Sequence, residues 1–157
     1  MRELDPLDVQ LIKQLAKNGR ISYVELASNV SLSPSAVARR QRALEEAGVI
    51  TGYSANVSSK AIGFNTTVLV RVTLTRQSDE VLSKFERAVT SCENVVQCFL
   101  MSGEFDYLLV LNVKDVEDFE RVHKAHLSRL PAIMRIESSF AIREILKRPI
   151  PALTDSA

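Results

Sequence analysis

The spacing of apolar residues changes partway along this 157-residue chain. Up to about residue 50, apolar side chains recur every three or four positions, which is the period of an amphipathic helix. From residue 66, Val68, Val70 and Val72 alternate with other side chains, which is the period of a strand. We therefore expect a helical domain at residues 1–50, a linker with short strands at 51–65, a domain containing a sheet at 66–148, and a C-terminal tail at 149–157.

Three helices are predicted in the first domain. The first starts at Asp5-Pro6, places Val9, Ile12 and Leu15 on one face, and ends near Gly19. A capping box, Ser22-Tyr23-Val24-Glu25, opens a short second helix. A tight turn at Val30-Ser31-Leu32 then leads into the third, which is the spacing typical of a helix-turn-helix.

The third predicted helix carries the clearest sign of function. Ser33 is a strong N-cap and Pro34 suits the first helical position, while Gly48 is a natural stop. Small side chains in the first turn allow a close approach of the backbone, and the guanidinium groups that follow bind phosphates or guanine edges. We predict that this helix enters a DNA groove, with an interface of Ser33, Ser35, Ala36, Arg39, Arg40 and Arg42.

The small net charge limits the size of the DNA-binding surface that can be predicted. The whole chain carries +1, and residues 1–56 also carry +1, from seven basic and six acidic side chains. A DNA footprint would therefore be local, and one such module would bind weakly, because affinity follows the number of phosphates neutralised. A dimer would supply a second module and a symmetry-related half-site. The alternative is a small helical bundle with a solvated basic face.

The second domain is predicted to have the order βαββαβ, the ferredoxin-like arrangement of the α+β class. Its first helix, capped by Ser78 or Asp79, has an apolar stripe of Val81, Leu82, Phe85 and Val89. Its second helix runs from an Asp115 cap to about Leu130, with Phe119, Val122 and Leu127 facing inward. The strands after the first are expected at Val95–Met101, Tyr107–Val113 and Ile133–Leu146.

The strand that begins at Tyr107 is apolar on both faces. Consecutive residues of a strand point to opposite faces, and Tyr107-Leu108-Leu109-Val110-Leu111 has no polar alternation. Two helices can cover only one face of the sheet. A second copy of the sheet is the simplest cover for the other, and the sequence has no spare loop long enough to replace it.

Composition narrows the class of protein. A hydrophobic content of 46% with 25% charged residues is typical of a soluble globular chain. No apolar run reaches the roughly 18 residues of a membrane span, and the N-terminus shows no secretion signal. Cys92 and Cys98 have neither metal-ligand spacing nor a disulfide framework. We expect a cytoplasmic protein with reduced, structural cysteines and no cofactor.

With these features in order, the chain resembles the Lrp/AsnC family of bacterial and archaeal transcriptional regulators. The resemblance covers roughly residues 3 to 148, and the order and spacing of its motifs make it specific. The matching motifs are Leu4-Asp5, Gly19-Arg20-Ile21-Ser22, Glu25-Leu26-Ala27, Leu32-Ser33-Pro34, Arg42-Ala43-Leu44-Glu45, Gly48-Val49-Ile50, Gly52-Tyr53, Ser102-Gly103-Glu104-Phe105-Asp106-Tyr107 and Leu130-Pro131.

The resemblance implies a regulator of transcription with an amino-acid-sensing domain. Family members pair their sheets into dimers and often assemble dimers into octamers, and the effector binds between dimers near the turn after the second strand. Here Glu104 stands where the family often has Asp, and Ile136-Glu137-Ser138 stands where it has Thr-x-Thr. The implied effector site comprises Phe99, Met101, Ser102, Gly103, Glu104, Phe105, Asp106, Tyr107 and Ser138.

The chemistry of that turn suits a free amino acid. Backbone amides and the Ser138 hydroxyl can bind a carboxylate, and Asp106 can accept hydrogen bonds from an ammonium group. Phe99 and Met101 favour an apolar or aromatic side chain, whereas the charges of Glu104 and Asp106 disfavour aspartate and glutamate as effectors.

Two other classes of protein remain open. One is an amino-acid-binding or assembly protein whose helical domain does not bind DNA. The other is a small enzyme, but Glu104 and Asp106 lack a nucleophile or base partner in the sequence. His123 and His126 lie three residues apart on a predicted helix, and no Cys or carboxylate completes a metal site around them.

Overall fold

The computed structural model describes residues 3–153 and divides into two compact units. The first unit comprises the residues up to Asn56 together with those from Ile145 onward, and the second comprises Val57–Glu144. The described part of the predicted tail, residues 149–153, therefore belongs to the helical unit. Residues 154–157 of that tail lie outside the described residues.

Three helices form the first unit, and each starts at the predicted cap. They are α1 (Pro6–Lys17), α2 (Tyr23–Asn29) and α3 (Pro34–Glu46). The caps are side-chain oxygens of Asp5, Ser22 and Ser33, which accept hydrogen bonds from backbone N–H groups in the first helical turn at 2.8–3.2 Å. The backbone N–H groups in the first turn of a helix have no partner within the helix, and these side-chain oxygens accept their hydrogen bonds. Each helix therefore begins directly after a residue with a suitable side-chain oxygen.

The core of the first unit lies where the three helices meet. Its buried members include Leu11, Leu15, Leu26, Ala27, Val30 and Val37. Of the predicted inward face of α1, Val9 and Leu15 are buried and Ile12 is half-buried, while Leu11, which was not predicted, is fully buried. The short turn between α2 and α3 depends on Ser31, whose φ of +54° is uncommon for a residue with a side chain.

The segment after α3 is extended. Gly48 ends the helix with a φ of +69°, and the N–H of Val49 donates to the carbonyl of Leu44, as in a glycine C-cap. The predicted short strands are absent from residues 51–65, all of which are described. One short 3₁₀ turn, Lys60–Ile62, is the only regular element in that segment.

The second unit is a four-stranded antiparallel sheet with two helices. Its elements are β1 (Thr66–Leu74), α4 (Asp79–Val89), β2 (Val95–Leu100), β3 (Tyr107–Val113), α5 (Val116–Ala125) and β4 (Ile133–Phe140). The order along the chain is the predicted βαββαβ, and the order across the sheet is β2-β3-β1-β4. The two central strands, β1 and β3, carry the core.

The helices cover one face of this sheet. Alternate residues of β1 and β3, from Val68 and from Tyr107, are buried against Phe85 and Val89 of α4 and Val122 of α5. Of the predicted inward stripes, Val81, Leu82 and Phe119 pack at the edge of this core, and Leu127 is fully buried in a 3₁₀ turn after α5.

Helix α5 and strand β4 end several residues before the predicted positions, and β2 ends one residue early, at Leu100. Helix α5 ends at Ala125 rather than near Leu130, because the chain tightens into the 3₁₀ turn Leu127–Arg129. Strand β4 ends at Phe140 rather than Leu146. Its partner is β1, which begins at Thr66, so residues beyond Ala141 have no ladder to join.

Candidate functional site

The exposed face of α3 is formed by residues opposite its buried stripe. Val37 and Leu44 are fully buried, whereas Ser35, Arg39 and Arg42 are exposed. Positions 35, 39 and 42 are spaced by four and three residues, which places them on one helical face. Ala36 lies beside that face and is half-buried. The helix therefore presents a small residue near its start, followed by two guanidinium groups.

Ser33 acts first as the cap of α3. Its hydroxyl accepts from the N–H of Ala36 at 3.2 Å and lies 3.1 Å from the hydroxyl of Ser35. Both hydroxyls thus lie at the positive end of the helix dipole, where an anion is favoured.

Arg40 has a different environment from Arg39 and Arg42. One of its guanidinium nitrogens lies 2.6 Å from Asp5 and 2.8 Å from Asp8. Asp8 is 1% exposed, so this pair joins α3 to the start of α1 inside the unit. Sequence reasoning placed Arg40 at the DNA interface. In the structure its guanidinium group instead binds Asp5 and Asp8 at the start of α1, because Arg40 lies next to the buried stripe of α3.

The hydrogen bonds are reflected in the acid–base properties of the pair. The backbone N–H of Asp8, the largest cause, and the Arg40 guanidinium lower the pKa of Asp5, while burial opposes them. The two carboxylates raise the pKa of Arg40. Both groups therefore stay charged in the folded unit at neutral pH.

Tyr53 fastens the segment after α3 back onto that helix. Its hydroxyl donates to Glu45 at 2.7 Å and accepts from the amide of Gln41 at 2.7 Å. Burial, followed by the bond to Glu45, raises the pKa of Tyr53 to about 12, so the hydroxyl keeps its proton. Sequence reasoning gave Tyr53 no role, and its one signal was the Gly52-Tyr53 motif.

The turn between β2 and β3 is the second candidate site. The N–H of Met101 donates to the carbonyl of Asp106 at 2.8 Å and closes the hairpin. Ser102, Gly103 and Glu104 are exposed, and Gly103 has a φ of +138°. The Phe105 ring is half-buried, with its centroid 5.8 Å from the guanidinium carbon of Arg71.

Asp106 points into the protein rather than into this turn. It is 5% exposed, and its carboxylate accepts from the N–H of Leu74 at 2.6 Å and from the side-chain amide of Gln77 at 2.5 Å. Sequence reasoning made Asp106 the acceptor for an effector's ammonium group. The structure instead uses the carboxylate to hold the bend that follows β1.

Tyr107 is likewise part of the core. It is 1% exposed, its ring packs 4.4 Å from that of Phe85, and its hydroxyl donates to Glu86 at 2.8 Å. Burial is the main cause that raises the pKa of Tyr107. The side chain predicted to contact an effector therefore packs beneath α4.

Ser138 is separated from the turn by the sheet order. It lies on β4 opposite Val70, on the side of the helices, whereas Phe99 lies on β2 opposite Leu108, on the open side. β2 and β4 form opposite edges, three strand spacings or about 14 Å apart. The predicted grouping of Ser138 with Phe99 and Met101 does not occur within one chain.

The sheet face away from the helices is open within this chain. Leu69, Leu108, Val110 and Phe99 lie on it at neighbouring register positions. Arg71 lies on the same face and pairs with Glu137 at 3.4 Å, and Glu137 also pairs with Arg135. The face thus combines an apolar patch with two arginines that share one carboxylate.

Two other findings concern the described residues. Within residues 3–153, no helix is long and apolar enough to cross a membrane. The same residues contain no group of three or more His, Cys, Asp or Glu side chains that could hold a metal ion, and Cys92 and Cys98 are free thiols.

Two family models match the two parts of the chain. A winged helix-turn-helix DNA-binding model matches residues 4–51, and an Lrp/AsnC ligand-binding-domain model matches residues 67–151. The first covers the three helices and the second covers the sheet with its helices.

Relatives of known type match over almost the whole chain. The chain is 35% identical over 153 residues to the Bkd operon transcriptional regulator of Pseudomonas aeruginosa, covering 98% of this chain and 100% of that protein. It is 35% identical over 144 residues to the leucine-responsive regulatory protein of Escherichia coli, covering 92% and 88% of the two chains. Both of these relatives are named as regulators.

A solved structure has the same architecture. The crystal structure of a Neisseria meningitidis transcriptional regulator in complex with L-methionine matches with a TM-score of 0.90 and 31% identity, covering 95% of this chain and 97% of that one. Together with the geometry above, these matches show that the chain belongs to the Lrp/AsnC family and is a transcriptional regulator with a helix-turn-helix and a ligand-binding domain.

Proposed function

We propose that α3 reads double-stranded DNA through the face that carries Ser35, Arg39 and Arg42. The observation that supports this is the exposure of both guanidinium groups on one face, opposite Val37 and Leu44. Neither arginine has a hydrogen-bond or ion-pair partner among residues 3–153, so both are available to phosphates or base edges. Ser33 and Ala36 would lie at the entry of the helix into the groove.

Arg40 has a supporting role in this proposal. Its pairs with Asp5 and Asp8 fix the angle between α3 and α1. A helix that enters a groove needs a rigid platform, because contacts to bases are lost when its orientation varies.

The ligand-binding domain is proposed to sense a free amino acid with an apolar side chain. The exposed turn Ser102-Gly103-Glu104 offers backbone donors and one carboxylate, and Phe99 and Met101 lie beside it with exposed apolar surface. One similar protein is named as leucine-responsive, and another was solved in complex with L-methionine. Asp106 and Tyr107 are buried, and Ser138 lies on the opposite edge of the sheet from the turn, so these three side chains are not proposed as contacts.

A homodimer through the open sheet face completes the proposal. Leu69 on β1 and Phe99 on β2 are 37% and 47% exposed there, and Leu108 and Val110 lie on β3 between them. A second copy would bury this patch and bring a second α3 to the DNA. Assembly of dimers into an octamer is the larger state that the family resemblance implies.

A screen for thermal stabilisation tests the sensing role. The full chain is heated with each proteinogenic amino acid in turn. A ligand present at 100 times its dissociation constant stabilises the fold by about 2.7 kcal/mol. We expect methionine or leucine to raise the melting temperature and glutamate and aspartate not to. Equal melting temperatures with every amino acid would contradict the proposal.

A further inference from the structure

The turn after β2 and the bend after β1 are joined through one buried carboxylate. Asp106 accepts from the N–H of Leu74 and from the side chain of Gln77, so it holds both ends of the segment 74–77. The N–H of Asp106 also donates to the carbonyl of Val72 at 2.9 Å. The two segments are thus fastened at the same end of the sheet.

Each of these segments presents one exposed charge. Arg76 lies between the two residues that Asp106 binds, and Glu104 lies two residues before Asp106. Both side chains are exposed, and neither has a hydrogen-bond or ion-pair partner within residues 3–153. The other cations of this sheet are committed, since Arg71 and Arg135 both pair with Glu137.

An amino acid is a zwitterion, with one carboxylate and one ammonium group on a single carbon. A guanidinium group binds a carboxylate through two parallel hydrogen bonds, and a carboxylate is the strongest acceptor for an ammonium group. A cation on one segment and an anion on the other therefore match the two charges of this ligand.

We propose that Arg76 binds the carboxylate of the effector while Glu104 accepts hydrogen bonds from its ammonium group. Asp106 is then a positioning residue, which holds the two segments together without touching the ligand. This inference rests on the proposed amino-acid effector and adds the segment 74–77 to its binding site. It also explains how a Glu can serve at position 104, since its longer side chain still offers a carboxylate to the ligand.

The test is calorimetry on the full chain with three ligands of the same side chain. L-methionine carries both charges, 3-(methylthio)propylamine lacks the carboxylate, and 4-(methylthio)butanoate lacks the ammonium group. We expect Arg76→Gln to weaken L-methionine binding by about 10- to 100-fold, the cost of a charge-assisted hydrogen bond, and to leave binding of the amine unchanged. Glu104→Gln should weaken L-methionine binding similarly and leave binding of the butanoate unchanged.

A matched control removes the same charge elsewhere. Arg87→Gln lies in the last turn of α4, exposed, and should bind L-methionine as the parent chain does. Arg76→Lys should recover part of the affinity, because it restores the charge without the planar fork. An Arg76→Gln chain with parental affinity for L-methionine, or with equal losses for L-methionine and the amine, would overturn the inference alone. A parent chain that binds no amino acid would overturn the proposed effector and this inference together.

Discussion

At the scale of single residues, similar side chains differ in function because of what they contact. Arg39 and Arg40 are neighbours in the sequence, yet Arg39 faces solvent and Arg40 pairs with two aspartates. The caps at Asp5, Ser22 and Ser33 could be predicted because a cap depends on residues three positions away. The partners of Arg40 could not, since they lie 32 and 35 residues away along the chain. Its place beside the buried stripe of α3 was the signal available.

Replacing these two arginines should separate folding from DNA binding. Arg40→Ala removes the guanidinium from Asp8, which is 1% exposed, and should lower the free energy of unfolding by about 1.5–3 kcal/mol. Arg39→Ala should change it by less than about 0.5 kcal/mol, as exposed substitutions do, while weakening DNA binding. Urea unfolding followed by circular dichroism measures the first effect and fluorescence anisotropy the second. Equal unfolding curves for the two variants would contradict the assignment of Arg40 to packing.

The same pair predicts a pH dependence. The folded pKa of Asp5 lies below its usual value of 3.8, so its contribution is full above the unfolded pKa and is lost as pH falls through the folded pKa. Stability of the parent chain should therefore fall as pH drops below about 4. The melting temperature of Arg40→Met should fall less steeply between pH 5 and pH 3, because one cause of the lowered pKa of Asp5 is gone. A parallel fall in both chains would contradict this.

Asp106 should matter for stability through its acceptor atoms. Asp106→Ala leaves the N–H of Leu74 without its partner and should cost about 1–3 kcal/mol in unfolding free energy. Asp106→Asn keeps one acceptor oxygen of the same shape and should cost less. Chemical unfolding of both variants checks the order. An equal loss of unfolding free energy in Asp106→Asn and Asp106→Ala would show that the acceptor oxygen facing Leu74 does not stabilise the fold.

At the scale of elements, local patterns fixed the helices and central strands well. The apolar alternation in β1 follows its burial, and the continuous apolar run of β3 matches the observed strand, so both strands were predicted nearly in full. The end of β4 could not be predicted, because it depends on where β1 begins. The order of strands across the sheet could not be predicted from the sequence either, and this order separates Ser138 from the turn. Sequence reasoning therefore found the turn but not the composition of the site around it.

The exposed face of α3 leads to a prediction about salt. Arg39→Ala and Arg42→Ala should each reduce the slope of log affinity against log salt concentration by about one unit if the arginine contacts phosphate. Lys84→Ala, on the exposed surface of α4, is the control and should leave the slope unchanged. Anisotropy titrations across a range of salt concentrations measure the slopes. A double Arg39→Ala, Arg42→Ala variant with the parental slope would exclude this face as the interface.

At the scale of the whole molecule, the proposed function requires a second copy of the chain. Two helices cover one sheet face, and the other face carries an apolar patch of Leu69, Leu108, Val110 and Phe99. Val110→Lys would bury an unpaired charge in the proposed dimer and should shift the chain to a monomer. Val116→Lys, 63% exposed at the start of α5, is the matched control and should leave the assembly unchanged. Light scattering after size exclusion reads the mass, and a parent chain that is monomeric at micromolar concentration would refute the dimer.

The claim that links both domains is that an amino acid changes DNA binding. The most direct measurement is the anisotropy of a labelled DNA fragment, selected by the parent chain from a random pool, titrated with and without saturating L-methionine or L-leucine. The account predicts a change in dissociation constant of about 5- to 150-fold with at least one of them, the usual range for coupling between two sites. A dissociation constant that stays the same with every amino acid, or a chain that selects no DNA sequence from the pool, would contradict it.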